Sequence, residues 1–207
     1  MGRLFLIVFW LLIMLAPLTV MAGSIGFSGD WRYQKWSSEL EKSWSFRENY
    51  SLNFRRELTD TMSLAGSGRY AKQRTPDRTL QQISPTLTFS LNNDLFSFNL
   101  SGTSNRRIDS DGPDYTTNTW DATLYSNWGE KWPAIRLAYG RSYNYDDQHP
   151  HQVDNRSNHR DLTLNYSLFI FDLYYSYRDS KDEDLVSDST TWSYDQFGKV
   201  EANKSLF

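Results

Sequence analysis

The chain of 207 residues has three histidines, His149, His151 and His159, and all of them fall between residues 144 and 159 beside Asp146, Asp147 and Asp154. Imidazoles grouped with carboxylates can hold a divalent metal or activate water. The spacing is not that of a known zinc site, because His149-Pro150-His151 lacks the helical i, i+4 pairing of a His-Glu-Xaa-Xaa-His segment. The plainer reading is a polar surface loop, and it is preferred. Metal binding or enzymatic chemistry through the 144–159 loop is the alternative. The acidic stretch 179–188 reads the same way, since it lacks the spaced ligands and turn glycine of a calcium loop. Gly66 and Gly68 lie in an alternating run and not ahead of a helix, so they make no phosphate-binding loop.

A second set of charged residues recurs at every other position between apolar ones. It comprises Arg32, Arg47, Arg55, Arg69, Asp121, Arg136, Asp161 and Arg178, with Asp30 and Asp172 in the same phase. A two-residue period puts successive side chains on opposite faces of a strand. The elements that position these charges are therefore strands with one greasy and one wet side. Alternation predicts ten of them, at about 24–36, 43–58, 61–73, 79–91, 95–104, 116–128, 134–143, 160–168, 171–178 and 190–202. The second is the clearest, with Trp44, Phe46, Tyr50, Leu52, Phe54 and Leu58 in one lane and Ser45, Arg47, Asn49, Ser51, Asn53 and Arg55 in the other. Pro85 interrupts the fourth and predicts a bulge, because proline donates nothing to a ladder.

The first 22 residues are of another kind. Arg3 precedes an apolar run from Leu4 to Leu15, then Pro17 and Val20-Met21-Ala22, the pattern of a secretory leader removed after Ala22. The domain reading is a signal peptide over 1–22 and a transmembrane β-barrel over 23–207. With Cys at zero there is no disulfide framework, thiolate metal site or covalent haem attachment, and no cofactor is expected. Lys+Arg number 22 and Asp+Glu 25; losing Arg3 with the leader leaves 21 against 25, a net −4, so nucleic acid is excluded as a partner on electrostatic grounds. Mean hydropathy is −0.65, yet 16% of residues are aromatic, which is unlike a disordered chain. A spanning barrel combines the two, since only alternate residues meet lipid and Trp and Tyr gather at its interfaces.

Links between the expected strands alternate short and long. Those at 59–60, 92–94, 129–133 and 169–170 are short, and those at 37–42, 74–78, 105–115, 144–159 and 179–189 are mostly longer. Barrels in bacterial outer membranes have short periplasmic turns and longer external loops. The leader, the alternating strands, the loop parity and the terminal Phe207 resemble the outer-membrane β-barrel proteins of Gram-negative bacteria, porin-like members included. The resemblance covers the mature chain and implies an all-β, antiparallel, up-and-down transmembrane barrel of about ten strands in the cell outer membrane. The chain either closes on itself or forms part of a larger barrel. The resemblance further implies outer-membrane lipid and the barrel insertion machinery as partners, the latter reading a C-terminal aromatic such as Phe207. Here Leu206, Ala202 and Val200 are out of phase with Phe207, and Ser205, Asn203 and Glu201 are in phase. An unidentified protein partner stays open. Outer-membrane proteases share the ten-stranded pattern with Asp and His at the rim, but their catalytic residues find no one-to-one match here.

The expected function is that of an integral barrel protein, porin-like or structural and not an enzyme. At ten strands the interior is little wider than one filled by side chains, which leaves at most a narrow polar path for small solutes. The eight charged residues above are its candidate lumen-facing set.

Overall fold

A computed structural model describes residues 23–37, 42–126, 128–129 and 132–202. The expected leader over 1–22 and the terminal Phe207 lie outside the described residues. Ten strands follow one another: β1 (Gly23–Ser37), β2 (Lys42–Thr59), β3 (Met62–Arg74), β4 (Thr79–Asn92), β5 (Phe96–Asp109), β6 (Tyr115–Ser126), β7 (Ala134–Asp146), β8 (Asp154–Leu168), β9 (Phe171–Asp184) and β10 (Ser189–Ala202). They form one antiparallel sheet in chain order, an up-and-down meander. Its edges are β1 and β10, which do not pair with each other among the described residues.

Cross-strand partners share a face, so the registers assign every residue to one of two sides. The row Ile25, Phe54, Gly66, Leu87, Gly102, Trp120, Arg141, Asn158, Lys181 and Trp192 crosses all ten strands on the apolar side. Among the described residues no hydrophobic side chain is buried. Ile25 is 82% exposed, Phe27 72% and Trp31 71%. The aromatics of this side pack on one another and on glycine. A Cβ at Gly66 would stand 2.2 Å from the Phe54 ring, and one at Gly102 2.2 Å from Trp120, so both positions need glycine because a ring already fills the space.

The apolar run drifts relative to the hydrogen-bonded rows. Its midpoint is near Ser51 on β2, between Trp44 and Leu58, and near Tyr174 on β9, between Phe171 and Tyr177. The row through Asn53, by way of Ser67, Thr86, Thr103, Thr119, Ser142 and Ser157, meets β9 at Asp182, so the level of Ser51 falls at Asp184, ten residues beyond Tyr174. Ten residues over seven strand steps, with about 3.3 Å per residue and about 4.8 Å between strands, is a slope of about 44°. Strands crossing a bilayer in a barrel tilt by roughly 35–45°. The greasy band is thus level if the strands are tilted as membrane strands are.

Two expectations are corrected. Segments read as long loops are mostly strand: β5 runs on to Asp109, β7 to Asp146 and β9 to Asp184, and β8 begins at Asp154. In these extensions both faces are mostly polar, Ile108 and Tyr145 excepted, so the alternation that marks a strand is too sparse in the sequence to read although the ladder continues. Pro85 makes no bulge. It stands opposite Gly68 in an unbroken β3 ladder, and the register to β5 is the same before and after it, with pairing lost only at Ser84 and Pro85. Side chains bridge that gap: Ser84 Oγ and Gln82 Nε2 donate to Asn105 Oδ1 at 3.1 and 3.2 Å.

Candidate functional site

The polar face collects all eight charged residues singled out by alternation. Arg32 is the register partner of Arg47, Arg69 lies between Ser51 and Ser84, and Arg55 lies between Ser24 and Ala65, so four arginines share the wall made by β1, β2 and β3. Arg136 lies between Tyr125 and Thr163. Asp161 and Arg178 are opposite each other on β8 and β9, and Arg178 Nε donates to Asp161 Oδ1 at 2.7 Å. That is the single ion pair formed within the eight among the described residues. Asp121 has a different neighbour. His159 reaches across β7 toward it, with Nε2 3.9 Å from Asp121 Oδ1, because Gly140 lies between them in the row and a Cβ there would be 1.9 Å from the imidazole.

Between these charges the face is carpeted by small hydrogen-bonding groups paired across strands. Asn49 Nδ2 donates to Asp30 Oδ2 at 3.1 Å, Ser28 and Ser51 hydroxyls meet at 2.7 Å, Thr117 Oγ1 donates to Asn144 Oδ1 at 3.0 Å, and Asn99 Nδ2 donates to Ser90 Oγ at 2.9 Å. Tyr174 and Phe197, with ring centroids 5.9 Å apart, are an aromatic pair on this otherwise polar side. Acidic residues of this side include Asp30 on β1 and Glu57 on β2, on the same wall as the four arginines, and Asp121, Asp161, Asp172, Asp182, Asp184, Asp195 and Glu201 on β6 and β8–β10.

The histidine-rich segment does not converge on one point. Asp146, 1% exposed, closes loop 147–153 upon itself. Its Oδ1 accepts from the Gln148 N–H at 3.1 Å and lies 3.1 Å from His151 Nδ1, and its Oδ2 accepts from the Gln152 and Val153 N–H groups at 2.8 Å each. Burial pushes this carboxyl up, but the His151 contact and the three backbone donors outweigh it and hold the group below the usual carboxylate range. His149 packs edge-on against His151 with centroids 5.0 Å apart, Asp147 Oδ1 accepts from the Asp114 N–H at 3.1 Å, and His159 belongs to the β8 row described above. Among the described residues no three His, Cys, Asp or Glu side chains are placed to hold a metal ion. Sequence spacing gave no sign of the Asp146 role; a carboxylate directly before a loop of polar residues is the one signal that could have suggested it.

Neighbouring loops are clamped at the same end of the sheet. Arg78 Nε donates to Asp109 Oδ1 at 2.8 Å and a second guanidinium nitrogen contacts Oδ2. The Arg78 bond, with help from the Asp111 N–H and Arg107, brings the Asp109 carboxyl down to about 2 against partial burial. Arg106 in turn reaches Asp114 at 3.1 Å. In the 185–188 turn, the Ser187 hydroxyl and the Ser187 and Val186 N–H groups lower Asp184.

No family model and no curated protein sequence matches the chain. Similar solved structures are outer-membrane proteins. In-vitro folded OmpT, an outer-membrane protein of Vibrio cholerae, aligns in one form over 91% of this chain and 85% of its own at 12% identity and in its trimer form over 87% and 84% at 10%, each with a TM-score of 0.43. The translocator domain of the autotransporter NalP from Neisseria meningitidis aligns over 88% of this chain and 76% of its own, at 10% identity and a TM-score of 0.29.

Proposed function

We propose that this chain is an integral outer-membrane β-barrel protein, porin-like or structural, whose polar face lines at most a narrow path for small solutes and carries no catalytic centre. The observation that supports it most strongly is the oblique apolar band, a face of Trp, Tyr, Phe, Leu and Ile that is not buried in the protein and is level only for strands tilted about as membrane strands are. In water such a contiguous apolar surface would aggregate, and lipid is the solvent that removes it. The opposite face, with alternating serine, threonine, asparagine and charge, suits a hydrated interior. Four arginines on β1–β3, against Asp30 and Glu57 on the same wall, give it a net affinity for anions; the carboxylates of β6 and β8–β10 oppose it, so the selectivity is weak.

Refolding residues 23–207 into lipid vesicles tests this. The expected result is a species whose gel mobility changes on boiling and that, in planar bilayers, gives small and weakly anion-preferring steps. A folded, inserted protein that is electrically silent leaves a structural barrel and removes the conducting path. A chain soluble without lipid or detergent contradicts the reading.

A further inference from the structure

The lower apolar face of β5–β9 ends abruptly in charge. Reading up from the 169–170 turn, the row Phe98, Leu124, Leu137, Leu162 and Tyr177 is apolar throughout. The next row holds Ala122, Tyr139, Arg160 and Asp179, and the one after it Trp120, Arg141, Asn158 and Lys181. Ala122 is the small residue among large neighbours. The hollow above it is a groove of about 330 Å³, walled by Phe98, Leu124, Leu137, Tyr139, Leu162 and Tyr177, with Arg160 and Asp161 also at its lining; Asp161 is held by Arg178 on the opposite side of the sheet.

Arg160 is 66% exposed, and its one ion-pair neighbour, Asp179 Oδ2, is 3.9 Å away. Arg141 is exposed and forms no ion pair among the described residues. Lys181 is differently placed, occupied by Glu183 and stacked 5.0 Å from Trp192, and Arg156 in the row above lies 5.0 Å over Tyr143. Two guanidinium groups with uncommitted donors therefore stand at the head of an apolar groove, where the lipid-facing band gives way to water. Guanidinium groups match phosphate oxygens two at a time.

We propose that this groove is a binding site for one lipid bearing a phosphate monoester, its acyl chain beside Ala122 and its phosphate between Arg160 and Arg141. The proposal rests on the outer-membrane reading above. The two can fail separately.

The test is native mass spectrometry of the refolded chain in detergent, with phosphatidic acid, phosphatidylcholine or inorganic phosphate added. One phosphatidic acid is retained in preference to phosphatidylcholine. Retention falls about fivefold for each of Arg160→Gln and Arg141→Gln, the size expected of one basic side chain at an anionic leaflet. Ala122→Phe, which fills the groove and leaves both arginines, lowers it as well. Inorganic phosphate in excess does not displace the lipid. Equal retention of both lipids, no effect of the two arginine changes in heat-modifiable protein, or displacement by inorganic phosphate alone overturns the site. Chains that never become heat-modifiable in lipid overturn the outer-membrane reading and this site with it.

Discussion

Strands β8 and β9 each change side-chain pattern halfway along. Their lower halves, from Leu162 to Leu168 and from Phe171 to Tyr177, alternate cleanly. Their upper halves, Asp154 to Asp161 and Asp179 to Asp184, have charged or amide side chains on both faces. The backbone ladder is the same in both, with every partner from Asn155↔Asp184 to Leu168↔Phe171 in one register. Hydrogen bonding therefore does not distinguish the halves; on the membrane reading proposed above, the medium outside them does. Where one face meets lipid, the side chains must segregate. Where both meet water, the strand is free to carry any polar residue.

The largest effect expected from this contrast comes from placing one charge in each half of β8. Leu164→Arg lies in the band and should cost about 2–4 kcal/mol, while Asn158→Arg above it should cost about 0–1 kcal/mol. Urea unfolding in lipid vesicles measures both, and equal costs would break the distinction. Within the band, Gly66→Ala meets the Phe54 ring and should lose about 1–3 kcal/mol through overpacking. Gly68→Ala on the same face has no atom within 4 Å of its new Cβ and should be close to neutral.

The loop end should respond to acid when the band does not. Asp109 titrates near 2 when folded, against 3.8 for the free side chain. A carboxyl lowered in this way stabilises above the unfolded value and loses that contribution as pH falls from about 4 toward 2. Asp146 and Asp184 are lowered as well and act in the same direction. Limited proteolysis of loops 110–114 and 147–153 across that window should rise before the gel mobility of the barrel changes. Asp146→Ala should open loop 147–153 roughly tenfold more often already at neutral pH, because three backbone donors lose their acceptor. The smallest effect belongs to the arginine wall. Changing Arg32, Arg47, Arg55 and Arg69 together to Gln should cut anion preference roughly twofold, read from the reversal potential.

All ten strands were legible in the sequence, because a period of two survives wherever one face of a strand is apolar and the other polar. Their upper ends were not. Asn105 to Asp109, Asn144 to Asp146, Asp154 to His159 and Asp179 to Asp184 read as loop, since nothing in a doubly hydrated strand records which face a residue takes. Among the described residues the loops at that end are 75–78, 110–114, 147–153 and 185–188. Pro85 misled in the other direction: the ladder to β5 skips Ser84 and Pro85 and resumes in the same register, with side-chain bonds from Gln82 and Ser84 to Asn105 across the gap and no extra residue inserted. On the polar face, alternation alone chose eight residues that the registers place on one side. It could not foresee that Gly140 lets His159 reach Asp121, nor that Asp146 is consumed in holding its own loop, because both depend on which residues stand beside each other across strands or within a turn.

The oblique band can be tested directly because the chain has no cysteine and single cysteines can be introduced for spin labelling. Labels at Phe54, Leu137 and Leu173 stand in three different rows but within one band, while Asn158 and Lys181 share the row of Phe54. In vesicles the first three should be relaxed by oxygen dissolved in lipid, and Asn158 and Lys181 by a water-soluble nickel reagent. If accessibility instead follows the rows, with Phe54, Asn158 and Lys181 alike, the strands are not tilted across a bilayer and the membrane account is wrong.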